Sequence, residues 1–182
     1  MHAWAAGFFL FVALMLSPAS VLGQGNTAPA PAGATPTQTY KDWSLDCVVP
    51  MTGASAGKRV CFIHHEARSK TDATLIAARV VIRWAETGHK LMLIVQLPPN
   101  TVQGSGFTIA IDTGKPEAVT IQACLPRFCY GAAELTPVLQ AAAKVGAQLT
   151  LGFTAKGSGT QQVPVSLAGL TAALAGLEKV GP

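Results

Sequence analysis

Between Ile76 and Trp84 the apolar side chains fall on alternate residues: Ile76, Ala78, Val80, Ile82 and Trp84 share one line, with Arg79 and Arg83 on the other. Period two belongs to a strand, because a helix would scatter these residues around its axis. After the turn-forming stretch Ala85 to Gly88 the alternation resumes with Leu91, Leu93, Val95 and Leu97. Together the segments predict a long antiparallel hairpin with one buried face.

The same pattern recurs along the chain. Phe107, Ile109 and Ile111 precede the turn Asp112 to Glu117, and Val119 and Ile121 follow it. Leu149, Leu151 and Phe153 face Val163, Val165 and Leu167 across the polar segment Lys156 to Gln162. Trp43, Leu45 and Cys47 open the series, and Arg59 to His65 forms the next strand. Eight or nine short strands at this spacing predict an antiparallel β-sandwich.

Two helices are expected near the carboxyl end. Thr136 caps the first, Pro137 occupies its first turn, Val138 to Val145 continue it and Gly146 ends it. Ser166 is placed as the cap of the second, whose Leu167, Leu170, Leu174 and Leu177 fall at helical spacing with Gly169, Thr171 and Gly176 off that line. The leucine stripe reads as core packing.

All 13 Lys and Arg and all 9 Asp and Glu lie between Lys41 and Lys179, so the first forty residues form a separate object. Ala5 to Leu16 is an apolar run of about a dozen, too short for the roughly 20 residues of a membrane-spanning helix. Its small-residue exit reads as a signal peptide over residues 1–23, cleaved after Gly23. Residues 24–39, rich in Ala, Pro and Thr, read as a disordered linker, and the folded domain is assigned to residues 40–180. The expected location is periplasmic or secreted, with no transmembrane segment in the mature chain.

Cys47, Cys61, Cys124 and Cys129 make an even set in an exported chain, which reads as two disulfides. Four cysteines allow three pairings; the spacing favours Cys47 with Cys61 and Cys124 with Cys129, since each pair flanks a short segment able to fold back. Loop entropy assigns about 3 kcal/mol to the first bridge and about 2 to the second. One close pair set against a wider one is not the repeated spacing of a zinc site.

The ordered set Asp42-Trp43, Cys47, Cys61, the apolar hairpin, the strand Phe107 to Asp112, Cys124 to Cys129 and Val163 to Leu170 resembles the invasion-associated locus B family. The resemblance spans about Tyr40 to Leu177. This chain departs from the common pattern in carrying Phe128 before its last cysteine, Gly169-Leu170 near its end, and Leu97 to Asn100 in place of a Pro-Leu-Gly turn. The resemblance implies an immunoglobulin-like β-sandwich exported by bacteria with a two-membrane envelope, with founding members linked to entry into host red cells. It carries over no cofactor, substrate or catalytic residue.

No nucleophile elbow, phosphate-cradling loop or paired-acid signature is present in the sequence. His64 and His65 are adjacent in a strand, so their imidazoles face opposite ways and cannot readily share a metal. Net charge is +4, but the cations are spread singly among acids and lack interleaved aromatics, which argues against nucleic acid. Arg79 and Arg83 make a basic strand face suited to peripheral contact with an anionic membrane surface or an acidic partner. The expectation is a non-enzymatic envelope module without a cofactor, whose partner is an envelope or host-surface protein. The competing expectation is a thiol-disulfide helper acting through Cys124 and Cys129.

Overall fold

A computed structural model describes residues 37–69, 72–87 and 89–181. The expected signal peptide, and the linker up to residue 36, lie outside the described residues. Eleven strands, two α-helices and one short 3-10 helix (Gln103–Ser105) occur among those described. Seven strands form one antiparallel sheet: in spatial order β1 (Gln38–Tyr40), β2 (Trp43–Val48), β3 (Val60–Arg68), β4 (Ile76–Trp84), β5 (Leu91–Leu97), β9 (Cys129–Glu134) and β8 (Ala123–Cys124). Four more form the second: β11 (Gly159–Ser166), β10 (Gln148–Ala155), β6 (Phe107–Ile111) and β7 (Glu117–Val119).

The two sheets face one another across a single core, giving the β-sandwich that the alternation predicts, in the immunoglobulin-like class of architecture. Trp43, Leu45, Ile63, Val80, Ile82, Leu93 and Val95 line the inner face of the larger sheet, and Ile109, Leu151 and Val165 line the smaller. Arg79, Val81 and Arg83 therefore point outward from β4.

The structure departs from the sequence reading in four places. β1 reaches into the segment assigned to the linker, where Gln38 pairs with Leu45 and Thr39 with Ser44. Without large apolar side chains these residues carry no alternation, and backbone pairing with β2 places them. Ile76, expected inward, is 48% exposed, because a bulge between Ala67 and Arg68 shifts the register at the end of β4. Val81, on the outward line, is nonetheless buried.

The fourth departure concerns the second helix. α1 (Pro137–Val145) has the predicted cap, with the Thr136 hydroxyl accepting from the Leu139 N–H at 3.2 Å. α2 (Leu170–Val180) is capped by Gly169 instead of Ser166. Ser166 ends β11, and its hydroxyl accepts from the Ala168 N–H at 3.2 Å to shape the turn before the helix. Leu167, Leu170, Leu174 and Leu177 are all buried as the stripe requires. Gly176 is buried too, against the Tyr40 ring.

Asp112 joins the second hairpin to the turn after α1 and the start of β10. At φ 48°, a conformation Asp tolerates better than most residues, its carboxylate accepts from the Ala147 N–H at 3.1 Å and the Gln148 N–H at 2.9 Å.

Candidate functional site

Both cysteine pairs occupy directly opposed positions on neighbouring antiparallel strands. Cys47 on β2 is bonded to Cys61 on β3, and Cys124 on β8 to Cys129 on β9. The first bridge lies in the core. In the second, Cys129 is fully buried, with Sγ 3.8 Å from the carbonyl oxygens of Pro99 and Thr101, while Cys124 is exposed. An exchange reaction would have only Cys124 open to attack.

The outward face of the larger sheet is half exposed and mixes apolar with charged groups. Register aligns Ser44, His64, Val81, Ile94 and Ala132 in one row across five strands. On one side of it run Phe62, Arg83 and Met92; on the other, Glu66, Arg79, Gln96 and Tyr130.

The two arginines singled out by the alternation share this face but not a common patch. Arg79 Nε lies 3.8 Å from Glu66 Oε1, and Arg83 Nη2 lies 3.9 Å from Glu86 Oε1. Each thus has a carboxylate in attendance, which weakens a plain basic surface. They also open into different clefts. Arg79 and Arg127 line one of about 420 Å³, walled by Pro98, Pro99 and Phe128. Arg83 lines another of about 410 Å³ with Lys58, Arg59 and Trp84. Arg68 ends β3, its Nη2 4.0 Å from Glu66 Oε2.

The histidines turn apart. His64 Nε2 lies 2.8 Å from Asp46 Oδ2 on the outward face, and its ring sits 5.8 Å from that of Phe62. The other oxygen of Asp46 accepts from the Thr37 hydroxyl. His65 Nδ1 donates to the Asp42 carbonyl at 2.6 Å and its ring is 5.7 Å from that of Trp43. Both imidazoles are thereby committed to holding β2 against β3 and the turn before it. Among the described residues no group of three or more His, Cys, Asp or Glu is placed to hold a metal ion. Nor is any described helix long and apolar enough to cross a membrane.

Sequence reasoning missed Lys58, Arg59, Trp84 and Arg127. Trp84 followed the alternation and was counted as core. The Lys58-Arg59 doublet just before Cys61 was the available signal, but its meeting with Arg83 depends on strand pairing.

A family model for the invasion associated locus B protein matches residues 43–178. The crystal structure of invasion associated protein B from Bartonella henselae superposes with a TM-score of 0.66 at 23% identity, covering 80% of this chain and 97% of that one. At that identity the likeness is one of fold. Among curated proteins no match is found.

Proposed function

The chain belongs to the invasion associated locus B family, and from that premise we propose that it is an exported, non-enzymatic envelope module that binds a protein or surface component. The observation that carries this reading is the outward face of the seven-stranded sheet. Its half-exposed Ile94 and Ala132, in one row with the buried Val81, are flanked by Phe62 and Met92 and bordered by the charged Arg79, Arg83 and Glu66. An apolar strip with a charged border is the usual composition of a protein interface.

Export is supported by the two disulfides, which form and persist in oxidising compartments, and by the leader-like opening of the sequence. The mature protein would then reside in the periplasm or be secreted. In relatives that enter host cells, such a module would meet a host-surface protein.

Crosslinking in intact cells tests the reading. A photoreactive residue at Ile94 should capture a reproducible envelope or surface protein, and a charge placed at the half-exposed Ala132 should abolish the capture. Absence of any reproducible adduct from the sheet face would overturn it.

A further inference from the structure

We propose that the cleft at the end of β5, lined by Arg79 and Arg127, is the docking site for a peptide segment of a protein partner that carries acidic side chains beside apolar ones. Arg79 comes from β4 and Arg127 from the turn joining β8 to β9, with the end of β5 between them. Ile76, Pro98, Pro99 and Phe128 wall a cavity of about 420 Å³. The prolines carry no N–H, so the donors come from the two guanidiniums and Gln96. Charge decides the sign of the occupant. Glu66 is the only carboxylate among the described residues that line the cleft. It is shared between Arg79 at 3.8 Å and Arg68 at 4.0 Å, both longer than a hydrogen bond. Arg127 is exposed and makes no ion pair among the described residues. The surplus is positive, and a guanidinium fork matches a carboxylate.

Rigidity is a second, independent observation. Arg127 stands on a tight turn closed by the Leu125 N–H donating to the Phe128 carbonyl at 2.8 Å and by the Cys124–Cys129 bridge. Its backbone is thus ordered before any partner arrives, which lowers the entropy cost of docking. The Phe128 ring lies 6.2 Å from that of Tyr130, and Ile76 is 48% exposed. Arginine among aromatic and aliphatic side chains is the composition of a binding hot spot. The apolar walls disfavour other anions. A bare inorganic ion would leave Ile76 and Phe128 uncovered, and a flat lipid surface does not fill a recess between strands.

The inference rests on the reading of this chain as a binding module and names the chemistry of its partner at one end of the sheet face. The test titrates the isotope-labelled full chain, at constant ionic strength, with a capped hexapeptide alternating leucine and glutamate. The backbone amide resonances of Ile76, Gln96 and Phe128 should shift and saturate, and the glutamine counterpart should bind about tenfold more weakly. Arg127→Gln should weaken binding of the glutamate peptide about tenfold without moving the thermal midpoint. Lys144→Gln, the same change of charge at an exposed position of α1, should leave binding unaltered. Glu66→Gln should tighten binding, since it frees Arg79 for the peptide.

The proposal is overturned if the glutamate peptide does not bind, if it binds no better than the glutamine peptide, or if Arg127→Gln acts no more strongly than Lys144→Gln. It is equally overturned if a glutamine peptide with a free carboxyl end binds as well as the capped glutamate peptide, which would assign the cleft to a chain terminus. Sedimentation with phosphatidylglycerol vesicles, lost in Arg127→Gln and unaffected by the glutamate peptide, would make this surface a membrane contact instead. If the proposal fails while crosslinking from Ile94 still captures a partner, the cleft is excluded and the binding module stands.

Discussion

The indole N–H of Trp43 donates to the carbonyl of Ser166 at 3.0 Å, joining residues 123 positions apart. Trp43 is the first residue of β2 and Ser166 the last of β11, so this bond ties the two sheets together beside the start of α2. The Asp42 N–H reinforces it through the Ala168 carbonyl at 3.4 Å. The indole itself is completely buried.

Replacing Trp43 with Phe keeps an aromatic ring but leaves the Ser166 carbonyl without its donor and opens space in the core. The expected loss is about 2 kcal/mol or more. Urea unfolding measures it; a variant as stable as the parent would refute the role given to this bond.

Gly169 and Gly176 both face Tyr40, yet they should differ in their tolerance of a methyl group. A Cβ at Gly169 would sit 1.9 Å from the Tyr40 carbonyl oxygen, at a backbone φ of 92°. A Cβ at Gly176 would meet the Tyr40 hydroxyl at 2.5 Å, the end of a side chain that can shift. Gly169→Ala should cost about 3 kcal/mol or more and Gly176→Ala about 1 to 2. Adding Tyr40→Phe should recover part of the second loss and none of the first, which a double-mutant cycle reads directly.

Asp112 presents an acceptor that an amide can partly replace. Asp112→Ala removes the partners of the Ala147 and Gln148 N–H groups and puts a Cβ-bearing residue without a hydrogen-bonding side chain at φ 48°. A loss of about 1 to 2 kcal/mol is expected, while Asp112→Asn retains one acceptor and should lose about half as much. Thermal unfolding of the two variants gives the order; equal losses would count against the hydrogen-bonded account.

The two bridges should be unequal. They close sequence separations of 14 and 5 residues, so replacing the first pair with Ser should cost about 3 kcal/mol and the second about 2. With Cys129 fully buried, the second bridge is expected to survive mild reductant when followed by mass spectrometry. Rapid exchange with a thiol substrate at Cys124 would instead support the redox reading.

The sandwich was legible because each strand carries its own period, and a sheet with one buried face requires that period wherever the strand happens to pair. β10 and β11 illustrate this: Leu149, Leu151 and Phe153, with Val163 and Val165, are buried as the alternation demands. β1 was not legible, since three residues of mixed polarity hold no pattern and owe their extended form to β2. The start of α2 was misread for a related reason. Ser166 is a good cap by type, but the close approach of the Tyr40 backbone requires a glycine at position 169.

By itself, then, the sequence determined a sheet-built body, the inward line of each long strand and the first helix with its cap, because these follow from interactions between near neighbours. Only the tertiary structure decided that Arg79 and Arg83 serve separate clefts, that each is attended by a carboxylate, and that Lys58 and Trp84 join Arg83. Those arrangements come from strand register and loop return, which bring together side chains that no local periodicity relates.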